Sequence, residues 1–434
     1  MPNHNGTSEG YLLSKANSYY IFSLLFLLYL FDYIDRLVVV SLFPYLQKEW
    51  GLTDTQCGLL VSAVYWSIVL FSFPVSIIID RWSRKKSIGI MALLWSLATA
   101  ACAFANSFTH LFIARSAIGI GEAGYAPGGT AMISALFPEK KRAMLVGIWN
   151  ISIPLGSAMG VALGGYIAAH YGWRQAFGLV ALPGLIIALV FFFVRDYKTV
   201  ELVKTQPTTS DCPTPGKMKT LDIVREFSRT PSLLLTYIGF AGNTFLTTSI
   251  LSWLPTYLHR FENLPMEKAS FMSSLVLLLA IVGSPLGGFL ADKWLKKKDN
   301  ARLLFSALSS FVTAGLFVVA FGLFSGKIQF GLFMLGGVSA IAFASSAIAV
   351  TQDVVHPGLR AISYSLCVIF QNLLGSSLGP IFTGLISDRF DLKIALTLTS
   401  FFPILAGIFF FLGSRFYRRD LDKVEKVAIC LEGK

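Results

Sequence analysis

Five ionisable residues sit inside long apolar runs: Asp32, Asp35 and Arg36 in "YLFDYIDRLVVV", and Arg115 and Glu122 in "RSAIGIGEAGYAPGG". A charge at the centre of a bilayer is costly unless it is paired or wet, so such residues face a cavity and act there. Their types suit two chemistries. A carboxylate takes up and releases a proton, and a guanidinium grips a carboxylate or phosphate with its planar fork. Proton coupling therefore falls to Glu122, Asp35 and Asp32, since no histidine lies mid-span, and anion contact to Arg36 and Arg115. Arg115 and Glu122 are seven residues apart, hence on one helical face, and Asp32 and Asp35 are expected to share a face as well. The competing reading is structural, with Arg36 or Arg115 simply neutralising a carboxylate and stiffening the bundle.

The second stretch also spells G-x-G-x-x-G with Gly119, Gly121 and Gly124. A dinucleotide-binding turn must follow a strand and open a helix, whereas "LFIA" and "TAMISALF" on either side continue an apolar span. The nucleotide reading fails on that context, and no G-x-x-x-x-G-K-[ST] loop is present to bind ATP. The five cysteines show no C-x-x-C spacing, so neither a metal site nor a disulfide framework is indicated, and no cofactor is implied. No nucleophile–base constellation points to an enzyme.

The elements that must position these residues are membrane helices. Of 434 residues 54% are hydrophobic and only 14% charged, and apolar runs long enough to cross a bilayer recur along the chain. The pattern predicts an all-α membrane protein of twelve helices, at 19–43, 56–79, 87–105, 109–136, 144–168, 175–194, 232–258, 269–291, 301–324, 330–352, 361–386 and 394–414. The first run lacks a cleavage pattern and should remain as a span. Residues 1–18 form an N-tail, 19–194 a first six-helix half, 195–231 a polar Pro-, Thr- and Ser-containing linker, 232–414 a second half and 415–434 a C-tail. Most of the 36 lysines and arginines fall in the tails, the linker and alternate loops, while Lys48, Arg174, Arg260, Lys268, Lys327, Arg389 and Lys393 lie in the others. That bias places both termini in the cytoplasm, in a cell or inner membrane, and accounts for the net charge of +12 without nucleic acid.

The halves repeat each other. "SIIIDRWSRKK" (76–86) recurs as "GFLADKWLKKK" (288–298), and "GSAMGVALGG" (156–165) as "GSSLGPIFTG" (375–384), at nearly equal offsets. Paired repeats of this kind are typical of secondary transporters. The first of them, with Asp80, Arg81 and Arg84, resembles the D-R-x-x-R-[RK] signature of the major facilitator superfamily, with Asp292 in the second copy. The resemblance implies the major facilitator fold and gating contacts at Asp80, Arg81, Arg84 and Asp292. R-x-x-x-G-x-G-x-A, at Arg115, Gly119, Gly121 and Ala123, is similar to the superfamily's fourth-helix motif, linked to proton transfer. "GIGEAGY" with "DYIDR" resembles the Spinster branch, whose animal members move lysolipids or sphingosine phosphate, and the anion–cation symporter branch shares a similar first-span Asp-Arg.

The second half offers no mid-membrane charge, but Asn243 and Trp253 on the seventh span and Gln371 and Asn372 on the eleventh supply polar and aromatic groups for a substrate. For the two asparagines, bridging of neighbouring helices is the alternative. The expectation is a proton-coupled secondary transporter, acting as a monomer by alternating access on a small amphiphile or organic anion such as a lysolipid. An anion–cation symporter-type importer, or a transporter-like sensor without flux, is the alternative.

Overall fold

The computed structural model describes residues 11–81, 83–194, 226–356 and 359–424, with the backbone alone at 76–81, 139, 143 and 361. Twelve helical crossings run through it, and no strand occurs among the described residues. Among the described residues, nine helices are long and apolar enough to cross a membrane by length and composition. The other three crossings fall short of that measure for visible reasons. The first span (Lys15–Leu37) contains Asp32, Asp35 and Arg36; the third (Arg84–Cys102) opens on three basic residues; the fourth is broken into Phe108–Glu122 and Tyr125–Leu136.

Four breaks within spans have a proline four residues beyond them, whereas Pro74, Pro183, Pro255 and Pro285 sit inside unbroken helices. A proline lacks the N–H that would bond the carbonyl four residues back, and its ring crowds that carbonyl. Pro127 stands four after Ala123, where the fourth span breaks. Pro154 stands four after Asn150, which ends the first piece of the fifth span before Ser152–Tyr171 begins. In the eleventh span Pro380 follows Ser376, the last residue of a π-helical turn, and in the twelfth Pro403 follows Thr399, where Leu392–Thr399 ends. Hydroxyl side chains cap several N-termini: Ser14 accepts from the Asn17 N–H, Ser83 from Lys86 and Ser107 from His110.

The first span ends earlier than its apolar run. At Leu37 it tightens into a 3-10 turn, Val38–Ser41, and a short helix, Phe43–Trp50, follows. Glycines of the fifth span set how closely it approaches: a Cβ on Gly156 or Gly160 would stand 2.4 Å from the Leu30 carbonyl oxygen or 2.7 Å from that of Ile34. The repeat does the same against the seventh span (Pro231–Phe261), where a Cβ on Gly379 would meet the Phe245 carbonyl oxygen at 2.4 Å. The glycine-rich repeat is thus a packing seam in both copies.

Six spans precede residues 195–225 and six follow. Contacts joining the two sets gather at the end of the bundle opposite the termini. Arg260, closing the seventh span, donates to Asp54 Oδ1 at 2.7 Å and Oδ2 at 2.8 Å and to Gln47 at 2.8 Å. Asp388, at the end of the eleventh span, accepts from the backbone N–H groups of Asp54 and Thr55 at 2.7 and 2.9 Å. Ser270 on the eighth span (Met266–Leu295) reaches Ser41 at 3.0 Å. That end is closed.

Candidate functional site

The first and fourth spans bring their charges together in the N-terminal six helices. Arg36 is the centre. Its Nη2 lies 3.0 Å from Asp32 Oδ2, one turn back on the same helix, and 2.7 Å from Glu122 Oε2 on the fourth span. All three side chains are buried, yet Asp32 Oδ1 and Glu122 Oε1 have no hydrogen-bond partner. The guanidinium also lies over the rings of Tyr33 and Tyr65, at 4.5 and 5.7 Å from their centroids. Glu122 stands at the Pro127 break, beside Ala123 and Gly124, so the helix that carries it is interrupted where it meets Arg36.

Arg115 does something different. It is 0% exposed, and its donors go to backbone carbonyls: Nε to Leu60 at 3.1 Å, Nη1 to Asp35 at 3.1 Å and Nη2 to Arg36 at 2.8 Å. The last two carbonyls belong to the C-terminal turn of the first span, whose oxygens lack donors from a further α-turn. Arg115 therefore ties the first, second and fourth spans together, and in this conformation the cation next to Glu122 is Arg36. The expected anion contact at Arg115 gives way to an anchoring role here, because its fork is already occupied.

Asp32 and Asp35 are neighbours on the first span but meet different partners. Asp32 turns to Arg36, while Asp35 is 0% exposed and turns towards the third and sixth spans (Arg84–Cys102 and Trp173–Phe191), where Ser96 and Gly184 lie. Three positions along a helix separate side chains by about 60°.

The glycines of the G-x-G-x-x-G stretch are packing positions. A Cβ on Gly119 would stand 2.3 Å from the Val64 carbonyl oxygen, and one on Gly121 2.8 Å from the Trp95 nitrogen. Tyr125 and Trp149 both donate to the Leu25 carbonyl, at 2.6 and 3.2 Å, which fixes the first span against the fourth and fifth.

The expected residues of the second half spread apart. Asn243 is buried and donates to Ser310 Oγ at 2.8 Å, bridging the seventh and ninth spans, the latter Ala301–Leu323. Trp253 is 0% exposed, with Nε1 donating to the Pro380 carbonyl at 3.0 Å and its ring 5.0 Å from that of Phe43. It belongs to the closed end, so a substrate contact there does not fit this conformation. Gln371 and Asn372 are half-buried on the π-helical turn of the eleventh span, and the Asn372 side-chain oxygen Oδ1 accepts from the Ser376 hydroxyl. The side chains of Asp80 and Arg81 lie outside the described residues, and Arg84 opens the third span. Asp292, at the terminal end of the eighth span, is 3.4 Å from Arg302, which also pairs with Asp353, and Asp353 in turn accepts from Tyr417.

Residues 25–380 match the model of the Major Facilitator Superfamily. The chain belongs to that superfamily. It is 29% identical over 379 residues, 84% of this chain and 87% of the relative, to a hexuronate transporter of Bacillus subtilis. It is also 25% identical over 446 residues, 95% of this chain and 84% of the relative, to the protein spinster homolog 1 of Xenopus laevis. A solved bacterial homologue of the human lysosomal transporter Spinster, in an inward-facing and unoccupied conformation, superposes with a TM-score of 0.83 at 23% identity, covering 94% of this chain and 99% of that one. This Major Facilitator Superfamily protein is therefore a multi-pass membrane transporter with resemblance to the Spinster branch.

Tyr33 and Tyr65 went unnamed among the expected site residues. Tyr33 was within reach, being three positions before Arg36 on the same helix. Tyr65 comes from the second span and meets Arg36 only through tertiary packing.

Proposed function

We propose that the protein is a proton-coupled secondary transporter of a small organic anion, with Arg36 as the residue that holds the anionic group. The observation that carries this reading is the position of one guanidinium between Asp32 and Glu122, flanked by two tyrosines. A proton on Glu122 removes its claim on Arg36, and the freed N–H groups can then donate to a carboxylate or phosphate of the substrate. Proton and anion thus enter as a pair, and loss of the proton returns Arg36 to Glu122 and expels the anion. The tyrosine rings favour a substrate with an apolar or sugar-like body next to its charge. The hexuronate relative supports a carboxylate substrate, and the Spinster relatives an amphiphile with an anionic head.

With the termini in the cytoplasm, the closed end faces outward. The test is uptake into proteoliposomes under an imposed pH gradient, with a hexuronate and a lysophospholipid supplied separately. Accumulation of either that collapses with a protonophore supports the reading. Binding of both without flux would replace it with a sensor.

A further inference from the structure

The twelfth span does not stop where its apolar run ends. Its second helix, Phe402–Asp422, continues past Gly413 into "SRFYRRDLD", a basic stretch at the end of the bundle where the termini lie. The eighth span, Met266–Leu295, is followed there by three lysines, Lys296, Lys297 and Lys298. Two contacts hold these segments side by side. Asn300 donates to the Ser414 carbonyl at 3.1 Å, and Arg418 stands 3.9 Å from Asp299. Lys298 and Arg415, the sequence neighbours of these tie points, are both exposed.

Most of this charge is unspent. Of Lys296, Lys297, Lys298, Arg415 and Arg418, only Arg418 has a carboxylate partner among the described residues, and that pair is 77% and 68% exposed. An ion pair so exposed is worth little and exchanges readily. Arg419 differs: with Lys423 it neutralises the buried Asp420, whose other oxygen accepts from the Ser232 N–H at 3.0 Å and holds the start of the seventh span. Asp422 is seven positions beyond Arg415, two turns further from the membrane.

Helix direction sets the height of the arginines. Cα–Cβ bonds tilt towards the N-terminus of a helix, which here lies inside the membrane, so long side chains on this stretch reach back towards lipid. Arg415 does so: its guanidinium carbon lies 5.4 Å from the ring centroid of the exposed Phe411, one turn earlier. A guanidinium beside a lipid-facing ring stands at the level of the headgroups. Arginines at that level, next to lysines on a second segment, form two adjoining cationic clusters, and basic surfaces at the ends of membrane helices recruit anionic lipid. We propose that this surface binds a dianionic phospholipid carrying two phosphates in one headgroup, one against Arg415 and Arg418 and the other against the three lysines. Joining both phosphates in one molecule makes the second contact intramolecular, which sets this lipid apart from a singly charged one. The proposal is independent of transport, since binding is read without flux.

The full chain in detergent is titrated with cardiolipin, phosphatidylglycerol or pyrophosphate at matched phosphate while thermal unfolding is followed. Cardiolipin is expected to raise the midpoint by a few degrees and to saturate at about tenfold lower phosphate than phosphatidylglycerol. Arg415→Gln combined with Arg418→Gln should bring the cardiolipin curve onto that of phosphatidylglycerol, as should replacing the three lysines by glutamine. Lys327→Gln, exposed at the opposite end of the bundle, should leave it unchanged. Coincident cardiolipin and phosphatidylglycerol curves for the unaltered protein would overturn the proposal, as would a full cardiolipin response in the arginine double variant. A pyrophosphate response equal to that of cardiolipin makes the occupant a soluble anion, and an equal loss in Lys327→Gln makes the effect one of overall charge. Either result overturns the lipid site.

Discussion

Arg36 and Arg115 carry the same charge and fail differently when shortened. Arg36→Lys keeps a cation near Glu122 but loses the planar fork, so the affinity for an anionic substrate should fall by about tenfold or more, read by substrate titration, with the unfolding midpoint little changed. Arg115→Lys leaves carbonyls of Leu60, Asp35 and Arg36 short of donors in a closed interior, at about 1–3 kcal/mol for each group left unsatisfied. It should lower the unfolding midpoint clearly while the substrate affinity of the folded fraction is kept. Glu122→Gln retains hydrogen-bonding capacity but cannot exchange a proton, so uptake should lose its response to an imposed pH gradient while folding persists. Wild-type pH-driven rates in that variant would remove Glu122 from coupling. The sequence singled out the charges that the structure buries in the N-terminal six helices, because a charge in an apolar run needs a reason. It did not show that Arg115 is spent on backbone carbonyls, since the early end of the first span at Leu37 lies within the continuous apolar stretch "LVVVSLF".

At the scale of elements, the sequence pattern runs the fourth span unbroken over 109–136, and its interruption is mechanical. Pro127 breaks the fourth span where Glu122 meets Arg36. Pro127→Ala restores the donor to the Ala123 carbonyl and favours a continuous helix, which should hold or raise the unfolding midpoint while moving Glu122 off Arg36. The expected result is a stable protein whose transport no longer follows pH, checked by uptake at two external pH values. The tenth span breaks at Phe343, between Gly326–Ala342 and Ala344–Asp353, and nothing in the structure explains that break. The glycine-rich repeat was equally visible in sequence, but its use as a seam against carbonyls of the first and seventh spans depends on helix approach, which periodicity does not give.

For the whole molecule, the twelve crossings and their repeat were legible because lipid forces long apolar helices and a duplicated unit leaves matching motifs. The closed end was not legible: Arg260 and Asp54 stand 206 positions apart, and each alone reads as an ordinary charge near a span end. Alternating access requires that this end open, which means parting Arg260 from Asp54, Asp388 from the start of the second span, and Ser41 from Ser270. Ser41 and Ser270 are both 0% exposed with hydroxyl oxygens 3.0 Å apart, close enough for sulfurs at the same positions to bond with small adjustments. Ser41→Cys combined with Ser270→Cys should form a disulfide under oxidation that fixes this end shut. Transport should then stop and return on reduction, while substrate still binds from the opposite side with affinity within a few-fold of the reduced protein. Oxidised protein that transports at the reduced rate would show that this end does not have to part during the cycle. Oxidised protein that no longer binds at all would place the substrate's entry on the Ser41–Ser270 side.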